Sequence, residues 1–550
     1  NGGGSVMASD TTGVGEWFGE TGAVSRTTGR LFKWGCLGAT ALALFLMLVF
    51  LLYVGNDAFA PLSADPGWLL TFAGTVFLPM LGLGVYYYRR DPAAGQVAYT
   101  ALGLPIVMGL FAGGVFLLFR HVLPPRTWFG LLLALALVFA LVRAHERIRP
   151  AAGDERTALL VVGILLTLGI PGLLPGLRQL VLAAPVLPTV TVMLVATFTV
   201  PIAALAGWYV RAGRESDRAG AVAFAIPLVA SGLGLVVGPA LGVLPAVWVI
   251  FVSPIVGSLV IYVDRVGRQG AGVSGLALPA VVVAGVLAGS TIVDLAGFAG
   301  PDTWLTYDFL TGVHSTTASE AGIYPALVGS VLILLVIVLS AFPVGVAAAV
   351  YLEEYAPSGG RWGRVVELIE INIANLAGVP SVVYGVLGLA IFINLLRMGG
   401  GTAVVAGFTV GLLILPIVII STQEAIRSIP DSRRNASYAM GATKWQTVRN
   451  VVLPEATPGI LTGTILALGR AIGETAPLLM IGVPAVVRIS PDSFFSRTSA
   501  MPRQILTWST QIETEFRYGV LAAGVVTLLV VLLTMNATAI VLRNRYQSQR

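Results

Sequence analysis

Apolar residues run in blocks of about twenty from Leu31 to Leu542, separated by short segments holding Gly, Pro and Arg. Blocks of that length show neither the alternation of a half-buried strand nor the narrow stripe of a soluble helix. They match the thickness of a bilayer core, which takes about 20 residues of helix. The pattern predicts about fourteen spans, near 31–54, 68–88, 97–119, 127–142, 157–175, 189–210, 219–238, 246–263, 276–298, 323–351, 369–396, 402–422, 459–483 and 518–542. The chain is therefore expected to be an all-α polytopic membrane protein. Its first run, Leu31 to Val54, is too long for a signal-peptide core and has no small-residue cleavage site after it, so it should persist as a helix.

Composition agrees: of 550 residues 56% are hydrophobic and 11% charged, against about 25% charged in soluble domains. The net charge of +6 comes almost wholly from Arg, since Lys33 and Lys444 are the only lysines. In so apolar a chain this basic excess reads as topology rather than nucleic-acid affinity. Arg26, Arg30 and Lys33 precede the first span, Arg89 and Arg90 follow the second, and Arg143, Arg147, Arg149 and Arg156 follow the fourth. The same side then collects Arg211, Arg214, Arg218, Arg265, Arg268, Arg361, Arg364 and the basic loop from Arg427 to Arg449. That alternation predicts a multi-pass protein of the cell membrane with both termini cytoplasmic. Arg120 and Arg126 run against the rule, as do the arginines of the long outer segment from Val483 to Arg517. The lone Cys36 precludes an internal disulfide, and Met7 is a candidate start behind an upstream extension.

Sliding the chain against itself by 122 positions brings Thr75 onto Thr197, Pro79 onto Pro201, Leu83 onto Leu205, Tyr87 onto Tyr209, Ala101 onto Ala223, Pro105 onto Pro227 and Val107 onto Val229. Each copy would hold four helices, and an even number keeps both copies in one orientation, a parallel repeat. The match ends near Arg268, and the Gly-rich stretch Val266 to Gly275 reads as a linker. The organisation expected is a cytoplasmic tail over 1–30, an eight-helix membrane domain over 31–265 and a second membrane domain over 276–550.

The loop from Glu424 to Pro454 carries the most specific pattern. Asn435, Ala436 and Ser437 stand where a short helix begins, Gly441 breaks it, and Val451, Leu453 and Pro454 close a second helix before the next span. Ala436, Tyr438, Ala439 and Met440 would offer a small apolar face of the kind that seats in a partner's groove; an ordinary solvated loop is the alternative. The spacing from Asn435 to Pro454 resembles the EAA loop of ABC importer permeases, the piece that docks on the ATPase subunit. Ala436, Gly441, Leu453 and Pro454 fit that pattern, whereas Asn435 replaces its Glu, Ser437 an Ala and Val451 an Ile. The Asn435–Ser437 sequon is inert on the cytoplasmic side.

Two more stretches, NLAGVPSVVYGVLG over Asn375 to Gly388 and GRAIGETAPL over Gly469 to Leu478, closely resemble the phosphate-specific ABC permeases of the PstA type. The resemblance extends to DFLTG at Asp308 to Gly312 and YLEEYAP at Tyr351 to Pro357, and covers roughly residues 276–550. It implies a six-helix ABC permease core with coupling loop 424–454, acting as the translocation pathway of an ATP-driven phosphate importer. The partners it implies are ABC ATPase subunits, a second homologous permease and an extracytoplasmic phosphate-binding protein.

The residues of GRAIGETAPL make chemical sense in that setting. Arg470 and Glu474 are four apart and so share a helix face, and ionisable groups mid-membrane mark a substrate or ion path by default. Arg can fork two hydrogen bonds onto a phosphate. A carboxylate only accepts hydrogen bonds, so Glu474 would favour an oxyanion that still carries a proton, as phosphate does and sulfate does not. A plain Arg470–Glu474 ion pair holding the bundle together is the competing reading. Asn375, Ser381 and Tyr384, with Asn372, either line the pathway or bond to neighbouring helices, and Pro380 is expected to kink its span.

His121, His145 and His314 lack metal-ligand spacing, no Ser-His-Asp or Cys-His cluster appears, and neither lysine follows a Gly-rich phosphate loop. The chain is thus expected to be a transport subunit rather than an enzyme, with no cofactor or metal of its own, ATP being used by the partner ATPase. Besides phosphate and membrane lipid it should need no nucleic acid. Two other classes fit part of the pattern: an ion-gradient-driven secondary transporter, whose repeat should span the whole chain, and a membrane phosphate sensor or regulator, which needs no flux.

Overall fold

The computed structural model describes residues 26–148, 153–168, 176–183, 188–240, 242–357 and 359–548. Among them the chain is helical apart from its connections and one isolated bridge, Thr402 to Arg497. Eleven helices of the described residues are long and apolar enough to cross a bilayer, twelve if one bent pair is a span; the protein is a multi-pass membrane protein. The count is lower than about fourteen because Gly153–Leu168 and Asp217–Leu233, on expected spans 157–175 and 219–238, hold only 16 and 17 described residues, short of the roughly 20 a bilayer takes. Residues 169–175, like most of the tail 1–30, lie outside the described residues.

The first part of the chain consists of α1 (Arg26–Phe59), α2 (Pro66–Arg90), α3 (Pro92–Val122), α4 (Pro125–Ile148), α5 (Gly153–Leu168), α6 (Val190–Arg214), α7 (Asp217–Leu233) and α8 (Pro245–Gln269). A π turn over Ala73–Phe77 in α2 recurs over Val195–Thr199 in α6, 122 residues later. In both, a Thr side chain donates one turn back, Thr75 to the Thr71 carbonyl at 2.9 Å and Thr197 to the Met193 carbonyl at 2.7 Å. Prolines Pro105 and Pro227 lie inside α3 and α7. Both correspondences fall at the 122-residue offset of the sequence match.

The second part comprises α9 (Ala277–Ala296), α10 (Tyr324–Tyr355), the bent pair α11 (Gly360–Ala377) and α12 (Ser381–Leu395), α13 (Ala403–Arg427), α14 (Asp431–Ala439), α15 (Lys444–Gly473), α16 (Met501–Ser509) and α17 (Leu521–Ser548). Helix α13 is central: 67% of its most apolar window is buried, against 33% or less in every other span. Val328, Leu332, Ile333 and Ile337 of α10 pack on Val410, Leu413, Ile414 and Val418 of α13. On its other side Gly459 and Gly463 of α15 sit directly on Ala425 and Ser421. Small residues one turn apart let two membrane helices approach to backbone contact, where dispersion and weak hydrogen bonds replace the missing hydrophobic drive. Phe309, Ile323, Met501, Trp508, Phe516 and Val520 form a second core, joining the loop before α10 to α16 and the start of the last span.

The two parts share contacts that sequence patterning did not reveal. Gly285 and Gly289 of α9 press on Thr75 and Phe72 of α2, and the Tyr87 hydroxyl donates to the Ser274 carbonyl at 2.7 Å. Val54 and Ala58 of α1 pack on Ala522 of α17, and His121 meets the Tyr324 hydroxyl at 2.9 Å. A chain starting near Gly270 keeps every helix of the second part, so it should still insert and fold. Without these seams its melting temperature in detergent should fall by several degrees. Failure to insert would show that the two parts fold as one.

Candidate translocation site and coupling loop

The bend between α11 and α12 is built by three residues. Pro380 has no N–H and pushes Val379 out of the helical region, and the two helices diverge by 107° across the break. The expected span 369–396 is therefore broken rather than merely kinked. Freed backbone groups are recaptured locally, Gly378 N–H by the Asn375 carbonyl at 3.0 Å and Val379 N–H by the Leu376 carbonyl at 3.1 Å. Across the break the buried Tyr384 hydroxyl donates to the Leu376 carbonyl at 2.8 Å. Irregular backbone at membrane depth survives only where such partners exist.

The second motif is also broken. Helix α15 stops at Gly473 and Glu474 is already extended, so Arg470 and Glu474 do not share a helix face as their spacing suggests. They still meet, Arg470 Nε lying 3.1 Å from Glu474 Oε1. The Arg470 side chain is 47% exposed and Glu474 14%, leaving most of the guanidinium free to reach another anion. A short helix, Ala476–Met480, follows. Gly385 of α12 lies against it, where a Cβ would come within 2.8 Å of Pro477 and Met480.

The two motifs thus converge. Tyr384 shares one apolar cluster with Ala467, Ala471 and Leu478. Ser381 opens α12, half-buried, while Asn375 lies exposed at the end of α11. Asn372 bonds its own helix at the Leu368 carbonyl, 2.7 Å away. One polar group escaped the sequence reading: Asn536 of α17 faces Gly469 with its Oδ1 unpaired among the described residues. A lone Asn in a long apolar run was its only signal.

The loop 424–454 is a helix, a turn and a helix, with two shifts from the expected bounds. Asn435, Ala436 and Ser437 lie inside α14 rather than at its start. Leu453 and Pro454 do not close a separate helix, because α15 runs from Lys444 to Gly473 through a π turn at Val448–Val452. Thr443 caps that helix with Gln446 in a reciprocal capping box, and Ser437 Oγ meets Thr447 Oγ1 at 2.9 Å. Asn435, Tyr438, Met440 and Trp445 are exposed, Met440 at 88%.

The loop is anchored by YLEEYAP, which the sequence marked only by resemblance. Arg434 donates to Glu354 at 3.1 Å and to the Ile429 and Ile426 carbonyls at 2.7 and 3.1 Å. Lys444 lies 5.3 Å from the Tyr355 ring. One turn away Arg427 reaches Glu353 at 2.7 Å and Glu370 of α11 at 3.4 Å, and Gln423 donates to both carboxylates. Loop 424–454 is thereby tied to α10, and its supporting helix α13 to the α11 limb of the broken span. Acidic pairs facing an arginine-rich loop were the available sequence signal.

Gly441 sits at φ +81, and nothing lies within 4 Å of the position a Cβ would take, so a substitution there costs conformation alone, about 1–2 kcal/mol. Gly441→Val should leave membrane insertion intact but shift the exposed face of the loop, so ATPase association should weaken. Gly441→Asn, tolerant of positive φ, should retain it. Equal pull-down of the ATPase by both variants would show that the turn does not set the docking face.

Residues 341–545 match the family of binding-protein-dependent transport system inner membrane components. Over 222 residues the chain is 36% identical to the phosphate transport system permease protein PstA 1 of Mycobacterium tuberculosis (strain CDC 1551 / Oshkosh), covering 40% of this chain and 70% of that one. It is also 36% identical over 200 residues to the probable ABC transporter permease protein YqgI of Bacillus subtilis (strain 168), 36% of this chain and 66% of that one. The chain thus spans about two thirds of the length of these relatives. An inward-facing structure of the MetNI methionine ABC transporter is 19% identical, with a TM-score of 0.30 over 41% of this chain and 94% of that one; at that score the likeness carries no weight. With the family match over 341–545 and relatives of this identity and coverage, the chain belongs to the binding-protein-dependent ABC permeases of the PstA type.

Proposed function

We propose that the chain is the membrane permease subunit of an ATP-driven importer of inorganic phosphate. The observation that carries this reading is the convergence of two broken helices on Arg470, Glu474 and Tyr384, in a chain whose relatives are named for phosphate transport. Arg470 receives the anion, exchanging part of its bond to Glu474 for a two-pronged contact with phosphate. Glu474 accepts a hydrogen bond from the P–OH group that phosphate retains, and the Tyr384 hydroxyl closes the break beside them. Ser381 and Asn375 flank the path. Loop 424–454 docks on a separate ATPase subunit on the cytoplasmic side, and ATP is bound and hydrolysed there rather than on this chain. A second homologous permease completes the pathway, and an extracytoplasmic phosphate-binding protein delivers the anion. Both termini face the cytoplasm.

Co-expression with candidate ATPase and permease subunits tests the assembly. A purified complex should hydrolyse ATP faster when phosphate-loaded binding protein is added, and loaded sulfate-binding protein should not do the same. ATP hydrolysis indifferent to both would count against this role.

A further inference from the structure

Away from the transport core, α6, α7 and α8 enclose an open groove of about 590 Å³. Its walls are apolar, formed by Val222, Ile226, Val256, Leu259, Val260 and Val263, and its mouth carries Arg214, Arg218 and Asp264. From Val256 to Val263 the wall runs roughly 10 Å along α8, at 1.5 Å per residue. The charge sits at one end only.

That mouth is constructed. Asp264 is buried and shared by two guanidiniums, Arg214 on one oxygen and Arg268, at 2.9 Å, on the other. Arg268 lies 5.0 Å from the Tyr209 ring and passes where a side chain at Gly213 would stand. Arg211 is engaged by Asp217 at 2.7 Å, and Glu215 and Arg265, both exposed, lie off the lining. Arg218 lines the groove, exposed, with no acidic partner among the described residues. Three guanidiniums therefore face one carboxylate. The positions 122 residues before Arg214, Arg218 and Asp264 hold Pro92, Gln96 and Val142, so the charged mouth belongs to the second copy alone.

The geometry points to a binding site for one anionic glycerophospholipid, its headgroup phosphate on Arg218 and the free side of Arg214, one acyl chain along Val222, Ile226, Leu259 and Val263. Basic clusters where membrane helices meet the cytoplasmic surface attract anionic headgroups. A zwitterionic lipid would bring its own cation to the arginines, and a free phosphate would leave the apolar walls unused. The occupant must carry both an anionic head and a tail.

The full chain, purified in mild detergent, should retain phosphatidylglycerol by mass spectrometry and melt higher when that lipid is added back. Phosphatidylcholine and inorganic phosphate, each alone, should not reproduce the shift. Arg218→Gln removes an exposed charge without a structural partner, and should raise the half-saturating phosphatidylglycerol concentration about fivefold, the effect of one arginine near a headgroup. Ile226→Trp should fill the groove and abolish the shift while the lipid-free melting temperature holds. An equal shift with phosphatidylcholine, a shift produced by phosphate alone, or unchanged phosphatidylglycerol binding in both variants would overturn the assignment.

Discussion

Arg470→Lys is expected to lower phosphate uptake by about tenfold or more, with yield and assembly unchanged, since it keeps the charge and loses the two-pronged fork. The side chain is 47% exposed, so the loss should fall on transport rather than on folding. Glu474→Gln puts a donor where phosphate's proton needs an acceptor, so uptake of sulfate relative to phosphate should rise. The charge-swapped protein, Arg470→Glu with Glu474→Arg, separates transport from simple pairing. It restores the ion pair but places the cation beyond the helix end, so folded yield should recover and flux should not. Full flux in the swapped protein would mean that the pair only braces the bundle.

Arg434→Met should detach the loop 424–454 from α10. Arg434 and Glu354 are nearly buried, their side chains 16% and 6% exposed, and removing one partner of such a pair costs about 3–5 kcal/mol. Two carbonyls, of Ile426 and Ile429, lose their donor as well. The expected result is a lower melting temperature and loss of ATPase pull-down. The double variant Arg434→Met with Glu354→Met should recover part of the melting temperature, because no unpaired buried carboxylate remains while the two carbonyls still lack their donor, yet it should not recover pull-down, because the loop has lost its directional tether. Arg433, 65% exposed against Glu455, is the control, and Arg433→Gln should change stability by about 1 kcal/mol at most. If Arg434→Met binds the ATPase as well as the parent protein, the anchor is not part of coupling.

Much of this architecture could be read from sequence because bilayer-length apolar runs have few alternatives. Gly441 was legible as a turn, since a glycine between two short helical patterns has few other uses, and its φ of +81 agrees. Tyr384 and Arg470 stand out in the sequence as polar groups of apolar runs, but the packing of Tyr384 against Ala467, Ala471 and Leu478 does not, because it depends on breaks at Gly378–Pro380 and after Gly473, and periodicity alone does not set the angle between two helices. The Arg434–Glu354 anchor joins positions 80 residues apart, a separation at which local patterning is silent. The seam of Gly285 and Gly289 on Thr75 was hidden for the same reason. The duplicated π turn was foreshadowed by the match of Thr75 with Thr197, although nothing in the residues names a π turn.

The central claim is that ATP drives phosphate through this subunit, and proteoliposomes test it most directly. The complex is reconstituted with ATP and the ATPase face inside, loaded phosphate-binding protein is added outside, and labelled phosphate is followed inward with ionophores collapsing every ion gradient. Uptake should require ATP, survive the ionophores and fall about tenfold or more with Arg470→Lys. Uptake that proceeds without ATP and stops when the gradients are collapsed would contradict the account.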